Sequence, residues 1–466
     1  MSPDAIAQPS ASVAELAALA AAIGPVPRYT SYPTAPHFRP VDQDRRWREW
    51  LGAVPEGSAF ALYVHVPFCR QMCWYCGCHT QVTKSGETLA RYTELLTREI
   101  DLVAQYLPAR AMLSGLHFGG GTPGIIGGDG LQRIAEHLYR HFSPRPGAEI
   151  AIELDPRHCD AGLLPGLTAL GINRASLGVQ SLDPHVQAAI NRRQPFSDLQ
   201  RTADLLRDAG IASLNLDLIY GLPHQTVGNL LETVEQSLVL DPDRLALFGY
   251  AHVPWMKAHQ ARIDAAALPG TLDRFGQEAA AAHYLVSAGF HRIGLDHFAR
   301  AGDPLAVKAA AGSLHRNFQG YTTETGEVLL GFGPSAISTL PQGYAQNTPS
   351  VASWRQAVQA GRLPVARMRE LDGNDRLRGS VIEQLMCNLT VDLAAAAQVA
   401  GEDPAVFTEA IGRLEPLRQR GLVEIGHWRV TVPERARSLL RQVCAAFDAY
   451  LGQAAPAALI PQHAAA

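Results

Sequence analysis

Residues 63–78 read YVHVPFCRQMCWYCGC and decide the fold, because they join an apolar strand to a dense group of cysteines. Four cysteines, Cys69, Cys73, Cys76 and Cys78, fall within ten positions. Such crowding in an intracellular chain indicates a metal site rather than disulfides. The first three follow the pattern CxxxCxxC on the loop that leaves the strand, and this spacing is the strongest chemical signal in the sequence.

Three thiolates suit a four-iron cluster that keeps one iron without a protein ligand, so that a small molecule can bind there directly. The alternative is a structural zinc site in which Cys78 supplies a fourth thiolate. Structural zinc sites usually join two separated CxxC pairs, so the single dense run favours the cluster. We expect one 4Fe-4S cluster bound by Cys69, Cys73 and Cys76. The isolated Cys159, Cys387 and Cys444 are interpreted as ordinary buried thiols.

Strand-like and helix-like segments alternate after the N-terminal arm, which is typical of βα units that build a parallel sheet. The apolar residues of the intervening segments 89–107 and 199–210 recur at three- and four-residue intervals, as in amphipathic helices. The sequence therefore predicts an α/β fold, a partial parallel (β/α)6 barrel, with functional groups at the carboxyl ends of its strands. The six predicted strands are residues 60–66, 115–119, 150–154, 174–180, 213–219 and 244–250.

Beyond the sixth strand the pattern becomes less regular. A strand-like run at 291–298 could extend the sheet or lead out of it, and glycine- and proline-containing segments near 331–343 break the alternation. From about Arg367 the pattern is helical and ends in a short strand pair near 421–432. We therefore predict an N-terminal arm (1–55), a barrel with the cluster (56–345) and a mainly helical C-terminal domain (346–466).

Composition narrows the possible functions. The 466 residues are 47% hydrophobic and 18% charged, as in a globular protein. The formal net charge of −4 provides no basic footprint for nucleic acid. No apolar run is long enough to cross a membrane, and the acidic, Ala-rich N-terminus lacks the basic flank of a secretory signal. We expect a cytoplasmic protein that binds neither nucleic acid nor membrane.

Polar or small residues stand at the predicted strand ends. GGGTP at 119–123 follows the second strand, and missing side chains there allow a ligand to approach the backbone. Arg192 could pair with a carboxylate. Any one of these residues could be a loop cap or a surface ion pair, but they share one rim of the barrel. The other rim residues are Glu153, Gln180, Asp217 and Ala251.

The CxxxCxxC motif after the first strand of a βα barrel is similar to that of the radical S-adenosylmethionine (SAM) superfamily. The resemblance implies that the amino and carboxylate groups of SAM chelate the open iron. An electron from the cluster then cleaves the sulfonium to give methionine and a 5′-deoxyadenosyl radical. GGGTP looks like the glycine-rich motif of that superfamily, which meets the amino group of SAM.

Further motifs resemble one family, the oxygen-independent coproporphyrinogen III oxidases. They are RYTSYPTAPHF (28–38), LYVHVPFC (62–69), IELDPR (152–157), GVQSLD (178–183), NLDLIYGLPHQT (215–226), YAHVP (250–254), DHFA (296–299), HRNFQGYTT (315–323) and AQN (345–347). The resemblance implies two SAM molecules side by side. The first would contact Tyr63, Gly120 and Glu153, and the second Tyr75, Gly121, Thr122, Gln180, Arg192, Asp217, Ala251 and Ile337.

The same resemblance implies an essential role for Cys78 other than cluster ligation. Tyr63 suits stacking or a substrate contact, although it could also be a core tyrosine. His65 lies on the same strand face as Tyr63 and could reach the site, or it could be a hydrogen-bonded core histidine. These three are the predicted catalytic residues. Gly124 departs from the family pattern, which commonly has a hydroxyl-bearing or small residue there.

The implied reaction converts two of the four propionates of coproporphyrinogen III to vinyl groups, which gives protoporphyrinogen IX. Cationic side chains would have to meet the carboxylates of this substrate, and motif position suggests Arg28 and Arg316. We also expect a small redox protein as electron donor and a monomeric enzyme. One rival is a haem-binding chaperone that shares the barrel and the cluster. Such relatives usually have an aromatic residue in place of Cys78 and lack the YTSYPT arm.

Overall fold

Within the part of the chain that the computed structural model describes, residues 11–41, 44–108, 111–211, 213–324 and 328–452, thirteen strands join into one sheet. Seven further strands form three small sheets. In chain order the strands are β1 (Arg39–Pro40), β2 (Ala59–Val66), β3 (Phe68–Cys69), β4 (Gln81–Val82), β5 (Ala111–Gly120), β6 (Phe142–Leu154), β7 (Arg174–Gln180), β8 (Ser213–Tyr220), β9 (Arg244–Gly249), β10 (Phe290–Ile293), β11 (His297–Arg300), β12 (His315–Asn317), β13 (Gly320–Thr322), β14 (Val328–Phe332), β15 (Ile337–Leu340), β16 (Gly343–Asn347), β17 (Val365–Glu370), β18 (Thr390–Asp392), β19 (Glu424–Gly426) and β20 (Arg429–Thr431).

Helices connect the strands and cover the sheet. The helix α3 begins at the cap residue Ser85, whose side chain accepts a hydrogen bond from the Thr88 amide. The α-helices are α1 (Ala11–Ile23), α2 (Arg45–Gly52), α3 (Gly86–Ala104), α4 (Gly127–His141), α5 (Leu164–Leu170), α6 (Pro184–Ala189), α7 (Phe196–Asp208), α8 (Val227–Leu238), α9 (Thr271–Ser287), α10 (Pro304–Ala310), α11 (Val351–Gln359), α12 (Gly373–Asn388), α13 (Leu393–Ala400), α14 (Thr408–Gln419) and α15 (Leu440–Ala445). Among these described helices, none is long and apolar enough to cross a bilayer.

The predicted parallel α/β sheet is confirmed. All six predicted strands form, as β2, β5, β6, β7, β8 and β9, and each lies parallel to the next. Because parallel strands share a direction, their carboxyl ends meet at one edge of the barrel. The run at 291–298 extends the sheet as the hairpin β10–β11, which pairs antiparallel with β9.

One strand was missed on the other side. β14 pairs parallel with β2, and Val328 lies opposite Phe60. This strand runs into the region near 331–343, where the sequence analysis expected the alternation of strands and helices to stop. Its five residues, VLLGF, are all buried, so they show no polar alternation. A short buried strand next to glycine-rich turns therefore does not stand out by periodicity.

A second hydrophobic core contains helices α12–α15 and the sheet β18–β20. The predicted strand pair near 421–432 is present as β19–β20. The helical pattern begins at Gly373 rather than near Arg367, because residues 365–370 form β17 and pair with β16. The arm residues Val26, Tyr29 and Tyr32 pack into this second core. The boundaries 1–55, 56–345 and 346–466 remain a prediction.

A buried carboxylate links the sheet to the helices behind the cysteine loop. Glu99 of α3 accepts hydrogen bonds from the Gly333 amide (2.8 Å), Asn347 Nδ2 (2.6 Å) and Trp354 Nε1 (2.9 Å). Burial raises the pKa of Glu99 to about 7. Gly333 lies against the backbone of His65, where a Cβ would meet the His65 oxygen at 2.4 Å. The Glu99 contacts therefore hold Gly333 in place against β2, the strand that carries Tyr63 and His65.

Replacing Glu99 with glutamine is expected to lower the free energy of unfolding by about 1–3 kcal/mol near pH 6, because the amide NH2 would face N–H donors. The raised pKa means that the folded state disfavours ionised Glu99, so its contribution is fully present below the unfolded pKa and declines toward pH 7. The difference between wild type and Glu99→Gln should therefore shrink as the pH rises from about 4.5 to 7. Chemical denaturation at several pH values measures it.

Glu94→Gln is the matched control, since Glu94 is exposed on the same helix. The account of the buried carboxylate would be contradicted if the stability difference between wild type and Glu99→Gln widened with pH. It would also be contradicted if Glu99→Gln were as stable as Glu94→Gln.

Candidate active site

The cysteine loop lies at the carboxyl end of β2, as the sequence predicts. Cys69 Sγ accepts a hydrogen bond from Thr80 Oγ1 (3.3 Å) and lies 3.5 Å from Thr122 Oγ1. β3 and β4 hold this end of the loop through backbone pairing of residues 68–69 with 81–82. Hydroxyl donors therefore surround Cys69 from two different segments.

Two arginines surround Cys73. Arg157 Nη2 lies 3.7 Å and Arg192 Nη1 3.6 Å from the Cys73 sulfur. Asp155 pairs with both, at 2.6 Å to Arg157 Nη2 and 3.4 Å to Arg192 Nη2. Burial would raise the pKa of Asp155, but Arg192 and Arg157 hold it well below its ordinary value. The group carries two positive charges against one carboxylate, so excess positive charge lies beside the Cys73 sulfur.

Cys76 and Cys78 interact with each other. A hydrogen bond from Cys78 lowers the pKa of Cys76 to about 7, and the same bond is the main reason why the pKa of Cys78 is raised. The pair therefore favours ionisation of Cys76 over ionisation of Cys78. The loop after β9 contacts this segment from outside. Lys257 donates a hydrogen bond to the Cys78 carbonyl, His259 to the Cys76 carbonyl and Gln260 to the Tyr75 carbonyl.

These surroundings fit a thiolate-ligated cluster. Each of the three motif sulfurs has its own donors, hydroxyl groups at Cys69, guanidinium groups at Cys73 and the Cys78 thiol at Cys76. Among the described residues, no three His, Cys, Asp or Glu side chains converge as ligands of a single metal ion do. A four-iron cluster binds each thiolate through a different iron, so its ligands need not converge on one point.

Tyr63 and His65 form a hydrogen-bonded chain on β2. His65 Nε2 lies 2.9 Å from the His79 carbonyl, so this nitrogen donates and Nδ1 accepts from the Tyr63 hydroxyl (3.1 Å). Burial lowers the pKa of His65 to about 4, which keeps the imidazole neutral. The Tyr63 ring also stacks on His117, with centroids 5.9 Å apart. The chain fixes the direction in which the phenol points.

Glu153 connects this chain to the glycine-rich turn. Its carboxylate accepts from His117 Nε2 (3.1 Å) and from the Gly120 amide (3.1 Å). Gly120 has a φ of 110°, and a Cβ there would lie 2.6 Å from the His65 ring. Only glycine fits this position. The structure thus brings together Tyr63, His65, Gly120 and Glu153.

The next strands add further predicted residues to the same barrel interior. Asp217 accepts from Ser176 Oγ (2.8 Å) and Asn215 Nδ2 (2.9 Å). Burial raises its pKa, and the neighbouring Glu153 adds to this. Gln180 ends β7 with a φ of 66°. Glu153 and Asp217 line a cavity of about 140 Å³ inside the barrel.

Arg192 has hydrogen-bond partners within the protein that the sequence analysis did not predict. Its Nη2 donates to the Gly178 carbonyl (2.6 Å) and approaches Asp155. Its buried Nε has no hydrogen-bond partner among the described residues. Buried guanidinium donors are normally hydrogen-bonded, so this nitrogen is an exception.

Five further predicted residues have no charged side chain. Tyr75 lies near Arg192, and its carbonyl accepts from Gln260 Nε2 (3.0 Å). The amides of Gly121 and Thr122 bond to the Val66 and Phe68 carbonyls. Ala251 follows β9 and Ile337 begins β15, and their apolar side chains leave packing and backbone contacts as their possible roles.

Gly124, which departs from the family pattern, faces the core. A Cβ there would lie 3.2 Å from side-chain atoms of Leu154 and Leu163. The departure therefore concerns local packing.

Sequence reasoning missed several residues of this site. Asp155 and Arg157 stand within the quoted motif IELDPR, where an acid and a base directly after a strand were a usable signal. No motif in the sequence identified His117 as a site residue. Lys257, His259 and Gln260 come from a loop whose approach to the cysteines depends on tertiary structure alone.

Comparisons with known proteins agree with this geometry. The model of the radical SAM superfamily matches residues 63–236. The chain is 49% identical over 426 residues to the oxygen-independent coproporphyrinogen III oxidase of Bradyrhizobium diazoefficiens, covering 91% of this chain and 95% of that one. It is 40% identical to the enzyme of the same name from Salmonella typhimurium, covering 92% and 94%.

A solved structure is similar over nearly the whole chain. It is the coproporphyrinogen III oxidase from Escherichia coli, described as a radical SAM enzyme. The TM-score is 0.86 at 37% identity, and the match covers 91% of this chain and 97% of the other. Similarity of this extent goes well beyond the residues matched by the superfamily model.

Proposed function

Because the chain belongs to the oxygen-independent coproporphyrinogen III oxidases, which are radical SAM enzymes, we propose that its barrel carries out their reaction with the residues described above. The reaction is the oxidative decarboxylation of two propionates of coproporphyrinogen III to vinyl groups, which gives protoporphyrinogen IX without oxygen. It belongs to haem biosynthesis and uses a 4Fe-4S cluster and SAM.

The observation that carries the proposal is the set of donors around three cysteines at one strand end. We assign Cys69, Cys73 and Cys76 as the cluster ligands, because their sulfurs lie together at the carboxyl end of β2 with hydroxyl groups beside Cys69, guanidinium groups beside Cys73 and Cys78 beside Cys76. When bound, the cluster and SAM supply a carbon radical that removes a hydrogen from the propionate chain.

We assign two SAM sites around the rim. Tyr63, Gly120 and Glu153 would serve the first molecule, with the Glu153 carboxylate accepting hydrogen bonds from hydroxyl or ammonium groups. In the second, Arg192 would donate through its unpartnered Nε to a carboxylate. The other residues assigned to this second site are Tyr75, Gly121, Thr122, Gln180, Asp217, Ala251 and Ile337.

Tyr63, His65 and Cys78 are the proposed catalytic residues. His65 keeps the proton on Nε2 and accepts at Nδ1, so it orients the Tyr63 hydroxyl without changing charge. Cys78 is exposed beside the cysteine site, so its side chain can contact a substrate group there. These roles require no cluster ligation by Cys78.

The remaining proposals concern the setting of the enzyme. A small redox protein would supply electrons, and the chain would act as a monomer in the cytoplasm. All seven cysteines are free, as is usual in a reducing compartment.

An anaerobic assay tests the function. Reconstituted protein, SAM, a reductant and coproporphyrinogen III should yield protoporphyrinogen IX together with 5′-deoxyadenosine. Tight haem binding without turnover would instead identify a chaperone. Zinc in place of iron, with SAM left intact after reduction, would overturn the proposal.

A further inference from the structure

The loop after β9 brings a lysine to the edge of the cysteine loop. Lys257 Nζ donates a hydrogen bond to the Cys78 carbonyl at 3.1 Å. The next carbonyl along the chain, that of His79, accepts from His65 Nε2 at 2.9 Å, and His65 Nδ1 lies 3.1 Å from the Tyr63 hydroxyl. Lys257 and the Tyr63–His65 chain therefore contact the same two-residue segment.

Two neighbours of Lys257 already hold this loop on the cysteine loop. Gln260 is buried, its Nε2 donates to the Tyr75 carbonyl (3.0 Å), and its Oε1 accepts from the Val253 amide (2.6 Å). His259 Nε2 lies 2.7 Å from the Cys76 carbonyl. Because an amide and an imidazole make these contacts, the loop does not need an ammonium group at position 257 to stay in place.

The Lys257 ammonium group has no carboxylate partner. Such a group can donate three hydrogen bonds. Within the described ranges, the Cys78 carbonyl is its only hydrogen-bond acceptor, and no Asp or Glu forms an ion pair with it. Lys257 is half-buried, and a positive charge in such a place is stabilised when an anion joins it.

The segment that Lys257 contacts is accessible. Gly77 and Cys78 are both exposed. Trp255, two residues before Lys257 in the same loop, is 71% exposed. An exposed tryptophan offers an apolar face on which a ring of a ligand can pack. The loop thus provides both a cation and an aromatic ring to a molecule that reaches Cys78.

We propose that the Lys257 ammonium binds one propionate carboxylate of the substrate next to Cys78 and so holds the porphyrinogen at the edge of the cysteine loop. This rests on the proposed function, since the substrate brings four carboxylates and four pyrrole rings. A hydrogen bond between two charged groups is stronger than one between neutral groups. The sequence motifs did not identify this residue, because YAHVP ends three positions before it.

The test is binding of coproporphyrin III, the oxidised form of the substrate with the same four propionates, to the anaerobic holoenzyme. Fluorescence titration of Lys257→Gln should give a Kd about tenfold above that of wild type, since the amide can donate to the Cys78 carbonyl but carries no charge. Lys257→Met removes the donor as well and should weaken binding to a similar extent. Lys257→Arg keeps the charge and should bind more tightly than either. Lys308→Gln, half-buried on α10, is the matched control.

Two further measurements identify the cause. Added salt should weaken the binding of coproporphyrin III to wild type more than to Lys257→Gln, because salt screens the attraction between charges. Iron per chain is measured for every variant, since Lys257 also acts on the charge of Cys76. If Lys257→Met fails to hold its iron, the comparison of Lys257→Gln with Lys257→Arg still decides the proposal.

If wild type turns over coproporphyrinogen III but Lys257→Gln binds coproporphyrin III as tightly as wild type, the lysine proposal is wrong while the proposed function stands. Weaker binding in Lys257→Met alone would assign Lys257 to loop support and would also overturn the lysine proposal. If wild type neither binds nor converts the substrate, both proposals fail.

Discussion

Replacing Cys76 with serine is expected to remove most of the iron and to lower turnover by more than the ten- to hundredfold typical of residues that only support a metal ligand. Serine offers an oxygen that stays protonated at neutral pH, whereas the environment of Cys76 lowers its pKa to about 7 and favours a thiolate. Iron and sulfide per chain, together with the visible absorbance of the anaerobic protein, measure the cluster directly.

Two variants make this result specific. Cys159→Ser changes a cysteine that is buried in the barrel core, and it should keep the cluster. Cys78→Ala should also keep the cluster and reductive SAM cleavage but lose product formation. Loss of iron from Cys78→Ala, with iron retained in Cys76→Ser, would show that the fourth cysteine is the ligand.

Sequence reasoning succeeded where one local pattern determines the result. The strands β2 and β5–β9 contain short apolar or alternating runs between amphipathic helices, so period and length identify them. The cysteines are close in sequence, so their proximity in space follows from one loop. In the same way, Gly120 could be predicted because GGG directly after a strand indicates a close backbone approach.

Other parts of the site depend on contacts between distant segments. β14 lies beside β2 although it is more than 260 residues away along the chain, and its buried residues carry no alternation. Tyr29 and Tyr32 of the arm lie in the C-terminal core, although more than 300 residues separate these segments along the chain. No spacing rule in the sequence connects such residues, since tertiary packing alone decides their distance.

Arg192 shows an intermediate case. The sequence identified it as a cation for a carboxylate, yet the structure gives it Asp155, Gly178 and Cys73 as neighbours. A single arginine has five N–H donors, so it can serve a structural pair and a ligand together. Asp155, which the sequence analysis did not single out, controls how those donors are shared.

Replacing Asp155 with asparagine is therefore expected to destabilise the fold by about 3–5 kcal/mol, because two buried guanidinium groups would lose their shared counter-charge. The pKa of Asp155 is depressed in the folded state, so its contribution is present above the ordinary Asp range and is lost in acid. Wild type and Asp155→Asn should converge in stability as the pH falls below about 4. Anaerobic denaturation followed by tryptophan fluorescence measures the difference.

The same variant has an electrochemical consequence. With the carboxylate gone, Arg157 and Arg192 present more positive charge to the Cys73 sulfur, at 3.7 and 3.6 Å, and stabilise the reduced cluster. The midpoint potential of Asp155→Asn should shift to more positive values, and that of Arg157→Gln to more negative ones. Asp204→Asn, at an exposed position on α7, should change neither stability nor potential. Shifts of the same sign in Asp155→Asn and Arg157→Gln would contradict a charge effect, since a loosened cysteine loop alone would act alike in both.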